Sequence, residues 1–160
     1  MPESPRISVL SIDPGVTTGF VLANMREGTV FLNPFQLQNC AVRNLWETLV
    51  RIRPDQIICE DFEFRRHLYW AELYPVQLIG VVNLYCELDT KIKLYMQKAA
   101  QGKSFYKDKE KLKEAGVYLP GQNFHHSMDA MRHFMYWFMF GSGFKYNEGQ
   151  KLHIHKQSNY

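Results

Sequence analysis

Three acids stand where apolar segments end. Asp13 follows Ile7, Val9, Leu10 and Ile12; Glu60 follows the short run 56–59; Asp129 lies in His125-His126-Ser127-Met128-Asp129, just ahead of a strongly apolar stretch. Each alone has an ordinary explanation. An aspartate before Pro14-Gly15 is common turn chemistry, and an acid in a first helical turn favours the helix dipole. Recurrence at three element ends points instead to one site. Unpaired carboxylates brought together repel and push a pKa up, and a divalent cation removes that penalty. Hard oxygen donors suit Mg²⁺ or Mn²⁺, and a pair of such ions can clamp both oxygens of a phosphoryl displacement. His126 and Asp129 are spaced i, i+3, while His125 and Asp129 are spaced i, i+4, so either histidine can share a helix face with the acid.

Those acids converge only if the right elements carry them. Residues 7–12 read as a buried strand, Pro14-Gly15 breaks it, and a second apolar run at 19–23 returns as a hairpin. Residues 29–37 give a third strand, in which Asn33-Pro34 predicts an edge position or a bulge. Val42, Leu45, Trp46, Leu49 and Val50 then follow helical spacing until Arg53-Pro54-Asp55. Residues 56–59 form a short strand, 75–88 a nearly all-apolar helix, and 91–95 a further strand. A Lys-rich helix is expected over 106–115 with Gly116 as its stop, and a last helix over 124–140. The order predicts an α/β fold: a mixed five-stranded sheet, three antiparallel strands and then parallel ones, flanked by helices. Parallel neighbours end at the same sheet edge, so adjacency of the first and fourth strands would bring Asp13 to Glu60. Asp61 alternates to the other side of its strand and is left out of the site.

The chain has 160 residues, 46% apolar and 22% charged, which suits one globular domain over 1–143 followed by a polar, flexible tail over 144–160. No apolar run is long enough to span a bilayer, and the N-terminal residues lack a leader pattern, so a cytoplasmic protein is expected. Cys40, Cys59 and Cys86 sit singly in apolar segments without metal-ligand spacing and read as reduced core thiols. The net charge is only +3, but residues 98–113 hold six lysines against two acids, a surplus of four. A local basic patch on a neutral body suits a polyanion such as nucleic acid, and a solvated helix face is the plainer alternative.

The segments "IDPG..TTGF", "IICEDF" and "HHSMDAMRHF", in that order, resemble the RuvC-type Holliday junction resolvases of the RNase H-like superfamily, a family with cellular and viral members. The likeness runs over most of residues 7–140. It implies an RNase H-like fold, a homodimer, and metal-dependent hydrolysis of two symmetrical phosphodiesters in a four-way DNA junction. By that resemblance Asp13, Glu60 and Asp129 match the acidic ligands, with two Mg²⁺ or Mn²⁺ ions per site. His126 falls where other members carry Asp or His, either ligating an ion or orienting the attacking water. Lys98, Lys103 and Lys107 would hold DNA phosphates, and Phe62 and Phe64 fall where the family places an aromatic near the branch point. Core packing is the plainer role for either phenylalanine.

Three other readings compete. "DPGVTTG" is similar to the first phosphate loop of the actin and sugar kinase superfamily, but the second lobe and its loop are missing. A nuclease of the same fold could act on flaps, other branched DNA or RNA–DNA hybrids. A catalytically silent DNA-binding module fits poorly with a full set of acids. His153 and His155, on the polar tail, read as incidental.

Overall fold

Alternation along two strands decides which side of the sheet each residue serves. In β1 (Ile7–Asp13) Leu10 and Ile12 pack into one core, while Val9 packs into the other and the Ser11 hydroxyl donates to the Ala130 carbonyl on that same side, at 2.8 Å. Asp13 continues the Val9 and Ser11 side. In β4 (Gln56–Asp61) Ile57 and Cys59 serve the Leu10 core and Ile58 the opposite one, so Glu60 emerges on the same side as Asp13.

The computed structural model describes residues 6–26, 29–63, 73–105, 107–142 and 151–154. β1 pairs antiparallel with β2 (Thr18–Arg26), and β2 with β3 (Thr29–Leu37), while β1 pairs parallel with β4, and β4 with β5 (Lys93–Lys98). α1 (Val42–Ile52) and α2 (Tyr74–Leu88) cover the face of Leu10, Ile12, Phe20 and Ile57. Tyr74 and Tyr85 of α2 donate to the Cys40 and Leu49 carbonyls, at 2.6 and 3.0 Å, and so lock the two helices together. α5 (His125–Phe140) covers the other face, burying Met131, Phe134 and Phe138 against Val9, Val21 and Ile58. All three cysteines are buried and free, as their apolar settings predict. No helix among the described residues is long and apolar enough to cross a membrane.

The sheet has six strands where five are expected. The sixth, β6 (Lys151–Ile154), comes from the segment read as a polar tail and pairs parallel with Thr29–Leu32 of β3, giving the order β5-β4-β1-β2-β3-β6. Four residues of mixed character carry too little periodicity to announce a strand, and an open sheet edge supplies the missing signal. Pro34 lies beyond the β6 contact, as an edge proline should. The fifth strand starts later than expected because Asp89 closes a turn, accepting from the Lys91 and Ile92 backbone amides at 3.2 and 3.0 Å. The Lys-rich helix expected over 106–115 is the shorter α4 (Lys109–Glu114), and another short helix, α3 (Ala99–Phe105), precedes it where none is expected. Gln101 accepts from the Lys98 amide at 2.8 Å where α3 begins, and Asp108 caps α4 by accepting from the Glu110 amide at 2.9 Å.

α5 reaches the strand ends because β2 carries no side chain where they meet. A Cβ on Gly19 would fall 2.1 Å from the His126 carbonyl group and 2.5 Å from the Ser127 nitrogen. The Ser127 hydroxyl then donates to the Phe35 carbonyl at 2.8 Å, pinning the helix start to the sheet. The obstacle is backbone, which cannot step aside as a side chain would. Gly19→Ala is therefore expected to cost about 3 kcal/mol, the upper part of the overpacking range, with the fall in unfolding free energy read from urea denaturation.

Candidate functional site

The strand ends and the two helices meet at one cluster of charge. Asp13 closes β1, Glu60 stands next to last in β4, and Asp129 lies one turn into α5. The Lys103 ammonium on α3 sits among them, 2.8 Å from Glu60 Oε2, 3.2 Å from Asp13 Oδ1 and 3.5 Å from Asp129 Oδ2. His126 Nδ1 lies 3.1 Å from the other Asp13 oxygen, and Arg132 pairs with Asp129 one turn along α5. The parallel register of β1 with β4 and the alternation of both strands therefore bring Asp13, Glu60, His126 and Asp129 together, as their spacing predicts. His125 is exposed and faces its neighbour's ring at 5.6 Å, so His126 is the histidine that meets the acids. Asp61 is exposed and accepts from the Phe62 amide at 2.8 Å, outside the cluster.

Two further residues belong to the site and were not singled out in the sequence. His133 is wholly buried, with Nε2 2.8 Å from Glu60 Oε2 and Nδ1 2.8 Å from Gln97 Oε1. Gln97 is the β5 residue paired in register with Glu60. The stripe His126, Asp129, His133, spaced i, i+3, i+7, was the available signal; Gln97, in a polar strand end, offered none.

Lys103 is the other difference. It was grouped with Lys98 and Lys107 as a phosphate contact, and those two side chains are indeed exposed, but Lys103 turns inward with its side chain only 35% exposed. Lys98 stands one residue past Gln97 on β5, close in sequence to the cluster. Phe62 is half-buried against the α1–α2 core, and Phe64 lies outside the described residues.

Electrostatics differ sharply between the two strand-end acids. Burial raises the pKa of Asp13 above its ordinary value, outweighing the His126 hydrogen bond and the Lys103 charge, while Glu60 and Asp129 add repulsion. At Glu60 burial also pushes upward, but hydrogen bonds from His133 and Lys103 win and hold the group down at about 2. Lys103 is partly desolvated, yet the three carboxylates raise its pKa well above that of an ordinary lysine. The Asp13 hydrogen bond raises His126 in the same way.

Three carboxylates and an imidazole nitrogen are the donor chemistry of a hard divalent cation, and the ammonium among them marks a point where a positive charge is favoured. Among the described residues no three His, Cys, Asp or Glu side chains are gathered as a ready-made metal cage; Lys103 holds the central position instead. The donor types fit such an ion, provided the lysine gives way.

No family model and no curated protein matches the chain in sequence. Solved structures match it in fold. Thermus thermophilus RuvC in complex with a Holliday junction substrate matches with a TM-score of 0.62 at 16% identity, over 84% of this chain and 97% of that one. The yeast mitochondrial Holliday junction resolvase matches at 0.56 and 14%, over 85% and 80%. The fowlpox virus Holliday junction resolvase matches at 0.55 and 14%, over 81% and 94%. The fold is thus RNase H-like and of the RuvC type, with its acids at the edge where the parallel strands end.

Two outcomes follow from the charges. In a double-mutant cycle of Lys103→Met with Asp13→Asn, measured without divalent ions by urea denaturation, the coupling is expected to be roughly 1–2 kcal/mol, since the pair is in direct contact while Lys103 keeps two other carboxylates and Asp13 keeps His126. Glu60 has a depressed folded pKa, so its contribution is fully present above its ordinary value of 4.5 and is lost as pH falls towards about 2. The stability gap between wild type and Glu60→Gln should therefore close across that window, measured by denaturation at stepped pH.

Proposed function

With the RuvC-type fold as the premise, we propose that this chain is a metal-dependent, structure-selective DNA endonuclease that resolves four-way junctions as a homodimer by paired phosphodiester hydrolysis. The observation that carries the reading is the convergence of Asp13, Glu60 and Asp129, from three separate elements, within 3.5 Å of one cation position. A structural fold alone hosts many activities, so the reading rests on this site.

Asp13, Glu60 and Asp129 would hold Mg²⁺ or Mn²⁺, with His126 either a further ligand or the group that orients the attacking water. When bound, such ions supply a polarised water and counter-charge for the phosphoryl oxygens. The rest falls to the chain itself. Lys103 must vacate the central position, and its ammonium, released from the carboxylates, then joins Lys98 and Lys107 in pairing with phosphate. His126 is held by Asp13 through Nδ1, which leaves Nε2 of a 40% exposed side chain to orient water. Phe62 and Phe64 lie two and four residues past Glu60 and are the candidates for stacking on an unpaired base at the branch point.

The test is nicking of a labelled synthetic four-way junction beside linear duplex, flap and RNA–DNA hybrid, with Mg²⁺, Mn²⁺ or EDTA. Paired cuts confined to the junction are expected, absent in EDTA and slowed at least about 100-fold in Asp13→Asn, a change at the top of the range for losing even an outer-shell partner. Cleavage of flaps or hybrids instead would move the enzyme to a sister activity of the same fold. Junction binding without any cleavage would leave a structure-selective binding protein.

A further inference from the structure

His133 is a costly residue to bury completely, and its surroundings are built to hold it. One ring nitrogen reaches Glu60 Oε2 and the other the Gln97 side chain, each at 2.8 Å. The face of the ring is closed by α3: a Cβ on Gly102 would fall 2.7 Å from Nδ1 and 2.9 Å from Cε1 and Cγ. Glycine is what lets the helix press flat against the imidazole. Since the Glu60 carboxylate only accepts, Nε2 carries the donated proton, and the Gln97 amide can meet Nδ1 with its oxygen or, turned over, with its NH₂. The ring is therefore held on three sides.

Glu60 needs that support. Its side chain has three rotatable bonds and stands one residue from the end of β4. Lys103 also binds Oε2, but from a partly exposed side chain at the place a cation would take. His133 is wholly buried and has no such freedom. Both bonds go to Oε2, the oxygen that faces the cation position.

We propose that His133 is a positioning residue for Glu60, fixing its carboxylate through Nε2 and Oε2 so that it faces the divalent ion, with Gln97 and Gly102 in turn fixing the ring. The inference rests on the metal-dependent nuclease reading of the site. Outer partners of metal ligands act in this way, and their loss typically weakens metal affinity or activity 10–100-fold.

Mn²⁺ binding, measured by calorimetry on the full chain without DNA, tests it apart from activity. His133→Leu is expected to raise the Mn²⁺ Kd about 10–100-fold. It should also slow single-turnover cutting at saturating junction while leaving junction affinity unchanged. His133→Gln, whose amide nitrogen can stand near the Nε2 position, should recover most of both losses. Mn²⁺ affinity equal to wild type in a folded His133→Leu overturns the proposal. Should His133→Leu fail to fold, Gln97→Leu keeps the Glu60 bond but frees the ring, and a several-fold weaker Mn²⁺ affinity is expected; wild-type affinity there overturns the proposal equally. Wild type that binds Mn²⁺ but cuts no junction would sink the nuclease reading while leaving the His133 effect on affinity standing. Wild type that binds no Mn²⁺ would overturn both.

Discussion

Three carboxylates gathered around one point cannot all stay ionised unless positive charge joins them, and the structure is arranged around that constraint. At an effective dielectric of about 20, two like charges 4 Å apart cost about 4 kcal/mol. Lys103 and Arg132 offset the repulsion from two different helices, and His126 adds a third partner at Asp13. The balance falls differently at each acid. Burial dominates at Asp13 and raises its pKa, whereas bonds from His133 and Lys103 dominate at Glu60 and hold its pKa down. The site thus balances its carboxylates with its own side chains yet is built from the donors that a metal requires.

Bringing those charges together depends on two places where the chain gives up a side chain. Gly19 allows the start of α5 to touch β2, and Gly102 allows α3 to lie against His133. Both contacts point at the cluster. The first sets the height of His126 and Asp129 above the sheet; the second delivers Lys103, the next residue in the chain, to the carboxylates. Ser11 and Ser127 then tie α5 to β1 and β3 through backbone carbonyls on either side of the site. Close packing and site geometry are thus one problem, because a displaced helix would separate the charges that neutralise each other.

Much of the core and the acid set was legible because both rest on short-range periodicity. Alternation in β1 and β4 sent Asp13 and Glu60 to the same face, and helical spacing did the same for His126 and Asp129. Legibility failed where partners are distant. β6 owes its strand form to the open edge of β3, and α3 lies where its Gly102 meets His133. Lys103 reads in the sequence as one of six lysines in a basic run, and nothing local distinguishes it from Lys98 or Lys107.

By itself, then, the sequence determined the mixed α/β arrangement, the two apolar faces and the identity of the acids, since period-two and period-3.6 patterns are properties of neighbouring residues. Only the tertiary structure decided what neutralises those acids. The inward turn of Lys103, the His133–Gln97 support of Glu60 and the pairing of Gln97 with Glu60 across β4 and β5 all join residues more than twenty-five positions apart. Such contacts are set by strand register and by how closely two helices can approach, and neither is encoded in any single stretch of chain.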